Sequence, residues 1–406
     1  MNIDFMRNVD RYAGSLLVNF LSGFFYNIKY QNLIIKDGIS SNEFILGEYS
    51  CNVPKGNKRV IMIKFFGIGS IINSLPLCNS LKRETYRIGY LTFKSNSLFL
   101  RNINIIDEVF EIDNSDLLRF FISTINVLLK IWKYRPNIAI DLEFYSNFSQ
   151  IFSIISGARV RIGFFTNRLS KGNLLTHRIH FNHYRHIRSQ YSAIFKIFAS
   201  YNNVQEINYD ETILSTGFVM KLSEIPSFCM LTRNEYYVIN INSSDVCLER
   251  RWPIDYYKDL INYMMDNHEG CVALIGGSSE INYVDSLVQC FNKKIDRLLN
   301  FAGKTSINEL FSLINYCKLL ITNDSGPAHI AEFLGVPSII FFGPETPQLY
   351  GNLRNNSVNL YKNIGCSPCL NAYNGKKAIC KGNNLCLKQI RHEEVFGPIK
   401  KLSKGK

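Results

Sequence analysis

The sequence predicts an α/β protein built from two doubly wound parallel-sheet domains facing across a cleft, and three observations carry that prediction. Short apolar runs alternate with helical stretches in two successive units, one opening near Val60 and the other near Glu235. A chain of 406 residues, 46% of them hydrophobic, can bury two ordinary cores. The stretch Leu319 to Pro347, LLITNDSGPAHIAEFLGVPSIIFFGPETP, reads as strand, tight turn, helix and strand. Residues 1–57 are expected to form an amphipathic helix and linker, 58–220 the first domain, 221–365 the second, and 366–406 a cysteine-containing segment with a terminal helix and basic tail.

In the stretch from Leu319, the run to Thr322 is the first strand, Pro327 suits the first turn of a helix, and Gly335 with Pro337 stops it. Ser338 to Phe342 is the second strand. Asn323, Asp324, Ser325, Gly326 and His329 therefore gather at the carboxyl end of the first strand, where open α/β sheets bind ligands. The amide groups that open the helix carry the positive end of its dipole and favour an anion. Gly326 lets a phosphate approach the backbone, Ser325 adds a hydroxyl, and His329 lies one turn on. Asp324 or Ser325 as a plain helix cap, with His329 a core histidine, is the alternative; the Gly-Pro-x-His spacing favours the ligand role.

These residues resemble the signature of the family 9 glycosyltransferases, the ADP-heptose:lipopolysaccharide heptosyltransferases: Asp-Ser-Gly-x-x-His-x-Ala, then Gly-x-Pro and Phe-Gly-Pro. The resemblance implies a sugar-nucleotide-dependent transferase of the two-domain GT-B type. It covers roughly residues 58 to 395 and is strongest over 235 to 347.

A net charge of +13 gives a basic surface suited to phosphorylated substrates or an anionic membrane. With no nucleic-acid module and no arginine-rich run with interleaved aromatics, nucleic acid is not expected as a partner. Eleven cysteines in a chain without an evident signal peptide suggest a reducing compartment, so a cytoplasmic protein is expected, at the inner face of the cytoplasmic membrane if it meets lipid.

The chain opens with Ala13 to Ile28, mostly apolar and flanked by Arg7, Arg11, Lys29 and Lys36. It is shorter than the ~20 residues that span a bilayer, so it reads as an interfacial helix making peripheral membrane contact or as a helix packed on the protein's own core. Residues 31 to 58 read as a linker holding Cys51 and Pro54. Val60 to Phe66 is strand-like, Gly67 to Ser70 a tight loop, and Ile71 to Lys82 a helix. This resembles the family's Lys-x-x-x-Ile-Gly-Asp opening, with Lys64 and Gly69 in register. Ser70, however, stands where the family's proposed catalytic aspartate sits.

Arg87 to Phe93 and Val109 to Ile112 read as strands and Leu117 to Tyr134 as a long apolar helix. Asn137 to Glu143 is a strand whose carboxyl end places Asp141 and Glu143 on one side. Either carboxylate could replace the missing aspartate as general base. A helix over Phe144 to Gly157 follows, then a strand from Arg159 to Phe164, with Arg161 in the family's Arg-x-Gly segment. Asn167 to Arg188 is basic, with His177, His180, His183 and His186 recurring every three residues. A solvated basic face is one reading; an acceptor pocket for phosphate or carboxylate groups, using His183 and Arg185, is the other. The spacing supplies no metal-site geometry. Asn202 to Arg233 is expected to carry the crossing between domains.

In the second half, Glu235 to Asn242 is a strand followed by Ser243, Ser244 and Glu249-Arg250-Arg251-Trp252-Pro253. The latter resembles the family's Lys-x-Trp-Pro box and puts Arg250 at the donor phosphates. Val272 to Gly276 is a strand, and Glu280 in the next first turn either stabilises the helix dipole or accepts ribose hydroxyls, as a family glutamate does. Gly303 and Thr305 fall in a segment resembling the family's Ala-Gly-x-Thr. Cys366, Cys369, Cys380 and Cys386 could hold a structural metal; none is expected in the chemistry.

The donor site is thus expected to comprise Ser243, Ser244, Arg250, Glu280, Gly303, Thr305, Asp324, Ser325, Gly326 and His329. The acceptor side comprises Lys64, Gly69, Ser70, Arg161, His183 and Arg185, and the candidate bases are Glu143 and Asp141. The reaction implied is metal-independent, inverting transfer of a heptose-like sugar from a nucleotide-diphosphate donor to lipopolysaccharide core or a related anionic glycolipid or polysaccharide. A sugar-nucleotide epimerase, or a non-catalytic nucleotide-sugar-binding relative, is the alternative that Ser70 keeps open.

Overall fold

A computed structural model describes residues 9–24, 31–33, 58–144, 146–165, 173–195, 214–215, 218–233, 235–243, 247–291, 296–371, 377–378 and 380–403. The chain divides into two compact units, Met1–Ser215 and Thr216–Lys406. The division falls inside the expected crossing and slightly before residue 220. The expected linker and the segment 202–213 lie, β1 apart, outside the described residues.

Unit 1 holds seven strands: β1 (Gln31–Leu33), β2 (Arg59–Ile63), β3 (Arg87–Phe93), β4 (Glu108–Ile112), β5 (Ile138–Asp141), β6 (Val160–Phe165) and β7 (His177–His180). Their order is β1-β7-β6-β5-β2-β3-β4, every described pairing parallel. β2 and β5 are buried on both faces, as parallel strands covered by helices must be. This explains why the runs VIMI and IAID are continuously apolar up to the closing aspartate. The helix Ile68–Arg83 accommodates Pro76 in its interior, and the helix Leu117–Tyr134 matches its expected bounds.

Two features of this unit depart from expectation. The basic stretch after Asn167 contains strand β7, with Ile179 buried between the polar neighbours Arg178 and His180. One inward residue in four is too weak an alternation to read as a strand without its neighbour β6. The N-terminal helix Ser15–Phe24, entered through a π-helical turn Asp10–Gly14, is not a free-standing element. It seats Val18 and Leu21 against Ile151 and Ile154, the core-packed one of its two readings, while Leu16 and Phe20 stay exposed.

Unit 2 holds β8 (Tyr236–Asn240), β9 (Cys271–Ile275), β10 (Leu298–Asn300), β11 (Leu319–Asn323), β12 (Ser338–Phe342) and β13 (Ser357–Tyr361). They form one parallel sheet in the order β10-β9-β8-β11-β12-β13. In both sheets the strand order reverses at a single switch point, between β2 and β5 in unit 1 and between β8 and β11 in unit 2. This is the arrangement that opens a crevice at the carboxyl ends of the strands.

The cysteine segment is not separate from this unit. Cys386, Leu387, Ile390, Val395 and Ile399 belong to the same core as Trp252, Tyr257 and Phe341. Trp252 is fully buried, stacks on Phe341 at 4.2 Å between centroids, and donates its indole N–H to the Ile390 carbonyl at 2.8 Å. Trp252→Ala would empty this contact and orphan a carbonyl, so the denaturation midpoint of the unit should fall by an amount equivalent to about 3–5 kcal/mol; a chemical-denaturation curve measures it.

Candidate functional site

The site of unit 2 is built where four parallel strands end. A cavity of about 310 Å³ is lined by Asn240 and Ser243 after β8, Gly276 and Glu280 after β9, Thr305 after β10, and Ser325 and Gly326 after β11. Of the ten residues expected on the donor side, Ser243, Glu280, Thr305, Ser325 and Gly326 meet here. Ser244 lies outside the described residues. Gly303 stands behind the wall: its positive φ of 70° and the 2.5 Å that would separate a Cβ from Ile281 Cδ1 show why the turn carries glycine.

Three asparagines hold these loops: Asn323, from the marked turn after β11, and Asn240 and Asn242, which the sequence reading does not single out. Asn240 donates its amide to Thr322 Oγ1 at 3.0 Å and Ser325 Oγ at 2.9 Å. Asn242 donates to the Ile275 carbonyl at 2.9 Å. Asn323 donates to the carbonyls of Ile241 at 2.9 Å and Asn242 at 3.1 Å and accepts the Trp252 amide at 2.9 Å. Their signal in the sequence was a strand, VININ, that turns polar at its end while remaining wholly buried. Gly276 is part of the same fit, since a Cβ there would come within 2.7 Å of Asn242 Nδ2.

This network decides what Ser325 does. As the N-cap residue it makes no side-chain capping bond, because its hydroxyl is engaged with Asn240 and the Asn323 carbonyl. The helix Gly326–Leu334 therefore presents an opening turn uncapped by its N-cap side chain on the cavity wall, the positive end of its dipole included. The neighbouring helix Ile307–Asn315, by contrast, is closed by a capping box of Ser306 and Glu309. Glu280 accepts the Gly277 amide at 2.8 Å. Arg250 pairs with Asp324 at 3.3 Å, an ion pair largely shielded from solvent beside the same turn. His329 is buried within the helix and does not line the cavity.

In unit 1 the switch point is filled from within. Lys64, just after β2, pairs with Glu143, just after β5, at 2.8 Å, both buried. The other Glu143 oxygen accepts the amides of Phe65 at 2.8 Å and Phe66 at 3.0 Å. Asp141 is fully buried, accepting the Glu143 amide at 3.0 Å and the Ser149 hydroxyl at 2.9 Å. These contacts occupy both oxygens of each carboxylate and leave little capacity to take a proton from a substrate.

Gly69 and Ser70 lie in the first turn of the helix that follows, with Ser70 partly exposed. His183 and Arg185 follow β7, and the His183 ring packs edge-on against Phe181, which meets Phe144. Arg161 does not join them. It sits near the amino end of β6, and its guanidinium donates to the carbonyls of Leu174 at 2.8 Å and Ala158 at 3.0 Å. Ligand crevices open at the opposite end of such strands, so Arg161 braces a loop instead of meeting an acceptor.

The four C-terminal cysteines are free thiols. Burial, and then the neighbouring Cys369, Cys380 and Cys366, push the Cys386 thiol up to about 11. Among the described residues no three His, Cys, Asp or Glu side chains are grouped as a metal requires.

Comparison with known proteins places these features in context. The family model for glycosyltransferase family 9 (heptosyltransferase) matches residues 143–379. Lipooligosaccharide heptosyltransferase 2 of Campylobacter jejuni is 28% identical over 156 residues, 38% of this chain and 47% of that protein. Lipopolysaccharide heptosyltransferase 1 of Campylobacter coli is 22% identical over 85% of this chain and 98% of its own. The chain thus spans about half the length of the first of these curated relatives and nearly all of the second. The structure of Escherichia coli ADP-heptose lipopolysaccharide heptosyltransferase II superposes with a TM-score of 0.67 at 17% identity, over 85% of this chain and 98% of that one, and so shares the fold.

The Lys64–Glu143 pair makes unit 1 sensitive to acid. Burial opposes ionisation of Glu143, but Lys64 and the two amides outweigh it and hold its carboxyl below the ordinary 4.5. A depressed folded value means stability that is present above pH 4.5 and lost as the pH falls through the lower value. Glu143→Gln should cost about 3–5 kcal/mol at neutral pH, because the buried Lys64 loses its charged partner at 2.8 Å. The gap between variant and parent urea midpoints should then narrow as the pH drops below about 4.

Proposed function

The chain belongs to glycosyltransferase family 9, and on that premise we propose that it transfers a heptose-like sugar from a nucleoside-diphosphate donor of the ADP-heptose kind to lipopolysaccharide core or a related anionic glycolipid, with inversion at the anomeric carbon. The observation that carries the donor half is the cavity at the β8–β11 switch point with an uncapped helix start in its wall. A diphosphate suits that position, because the open amides and dipole of Gly326–Leu334 meet its charge without a competing side-chain cap. Thr305 adds a hydroxyl, Ser243 and Ser325 hold the surrounding loops through their own hydroxyl bonds, and Glu280 suits a ribose.

Transfer forms a bond from an acceptor hydroxyl oxygen to the anomeric carbon as that carbon's bond to the diphosphate breaks; the hydroxyl proton passes to solvent and negative charge moves onto the leaving group. A fixed dipole and the neighbouring Arg250 stabilise that charge most when it has developed, which lowers the barrier. Arg250 is preorganised by Asp324, so little reorganisation accompanies the step. His329 acts from within the same first turns of the helix.

On the acceptor side, the reading is that Lys64 and Glu143 hold the loop Phe65–Ser70 in shape, and that Glu143 and Asp141 act as scaffold in place of a base. The occupied oxygens and the depressed Glu143 value support this. The His183 and Arg185 turn is the matching candidate for acceptor phosphates. With a lipid-linked acceptor the protein works at a membrane face.

Purified chain is incubated with ADP-heptose and with other nucleotide sugars, with and without a heptose-deficient lipopolysaccharide core, and released nucleoside diphosphate is followed. Acceptor-dependent ADP release is expected. Free sugar released without acceptor would make it an epimerase or hydrolase, and ADP binding without turnover would make Ser70 the mark of a non-catalytic relative. Gly276→Ala should weaken ADP binding by about tenfold or more in calorimetry, because the added methyl displaces the Asn242 amide. Asp141→Asn should alter stability more than turnover per folded molecule; a folded variant with turnover abolished would return the base to that carboxylate.

A further inference from the structure

The helix Leu117–Tyr134 carries apolar residues on two faces. One face, with Val127, Ile131 and Tyr134, is buried in the unit 1 core. On the other, Leu118, Phe121, Ile122, Ile125, Leu129 and Trp132 recur at helical spacing of three or four, and each is 50% to 69% exposed. Single exposed apolar residues are ordinary; a continuous stripe along a helix about 27 Å long is not.

The charge beside the stripe is mainly positive, the one carboxylate being the N-cap Asp116, which pairs with Arg119 at 3.2 Å. Arg119, Lys130 and Lys133 are exposed, and no acidic residue lies between Leu117 and Tyr134. The patch continues onto the next helix, since Trp132 donates its indole N–H to the Ile155 carbonyl at 2.7 Å. That helix, Asn147–Ile155, is in turn capped by Asp10, whose carboxylate accepts the Asn147 and Phe148 amides at 2.9 and 2.6 Å. The N-terminal helix, with Leu16 and Phe20 exposed, thus borders the same layer. No helix among the described residues is long and apolar enough to cross a membrane.

We propose that this face of unit 1 docks on an anionic phospholipid bilayer, the stripe entering the headgroup boundary with the helix lying in the membrane plane. Apolar side chains on one line with cations alongside are what an interfacial helix needs. The proposal rests on the glycolipid-acceptor reading only for the reason a membrane should be near; binding itself stands on the surface alone.

The chain contains two tryptophans, and Trp252 is fully buried, so a change in emission on adding vesicles reports Trp132. Vesicles of phosphatidylcholine with phosphatidylglycerol should blue-shift that emission, brominated lipid should quench it, and the full chain should float with the vesicles, less so at high salt. The double substitution Phe121→Glu with Ile125→Glu should reduce vesicle partitioning about tenfold or more. Turnover on a lipid-free core oligosaccharide should be unchanged. No shift and no flotation of the parent chain would overturn the proposal. So would equal partitioning by the folded variant, or a concentration-dependent dimer that the variant dissolves. If the variant does not fold, quenching of the parent chain decides. Vesicle binding without any heptosyl transfer would sink the transferase reading and leave the docking face standing.

Discussion

The side chain of Asn323 is the joint on which the crevice of unit 2 depends. Its amide closes onto two carbonyls at the end of β8, and its carbonyl takes the Trp252 amide. It thereby ties the turn after β11 to the neighbouring strand and to the Arg250–Trp252 box. Buried backbone groups must be paired, and at strand ends the sheet no longer pairs them. Asparagine, with donor and acceptor on one short side chain, satisfies both demands without bringing a charge into the crevice.

The two switch points show what the same topology can be used for. Both sheets reverse their order beside their first core strand, and both leave a gap between the loops that follow. In unit 2 the gap is walled by amides and hydroxyls and stays open as a cavity. In unit 1 a buried ion pair between Lys64 and Glu143 closes it, with two backbone amides completing the carboxylate's shell. A charge that satisfied is stable, and for the same reason it is a poor proton acceptor. Proton transfer and structural support make opposite demands on a carboxylate, and the unit 1 geometry favours support.

Much of this architecture was legible in the sequence because parallel strands buried on both faces leave uninterrupted apolar runs. β3, β12 and the helix Leu117–Tyr134 match their expected bounds, and the strand-turn-helix-strand at Leu319 was readable from its proline and glycine punctuation. Strands β10 and β13 escaped because they are short and only half buried at a sheet edge. β7 escaped because only one of its four residues, Ile179, is buried, which leaves almost no alternation to read. Several residues that the family pattern marks line the cavity at the strand ends; Asn240 and Asn242 behind them went unmarked, since an asparagine after a strand is as common in a turn as in a network.

Residue order alone therefore determined the fold class, the strand-turn-helix at Leu319 and the cation box at Arg250, since each depends on local spacing and hydrophobic periodicity. Tertiary structure decided the work of each polar side chain, because a hydrogen bond depends on which strand ends lie side by side. Sequence could not say that Ser325 would bond Asn240 and leave its helix uncapped, or that Arg161 lies at the wrong end of its strand. Nor could it say that the apolar residues of Leu117–Tyr134 exceed what one core can cover. Those facts follow from the order in which parallel strands assemble, and only the folded chain shows that order.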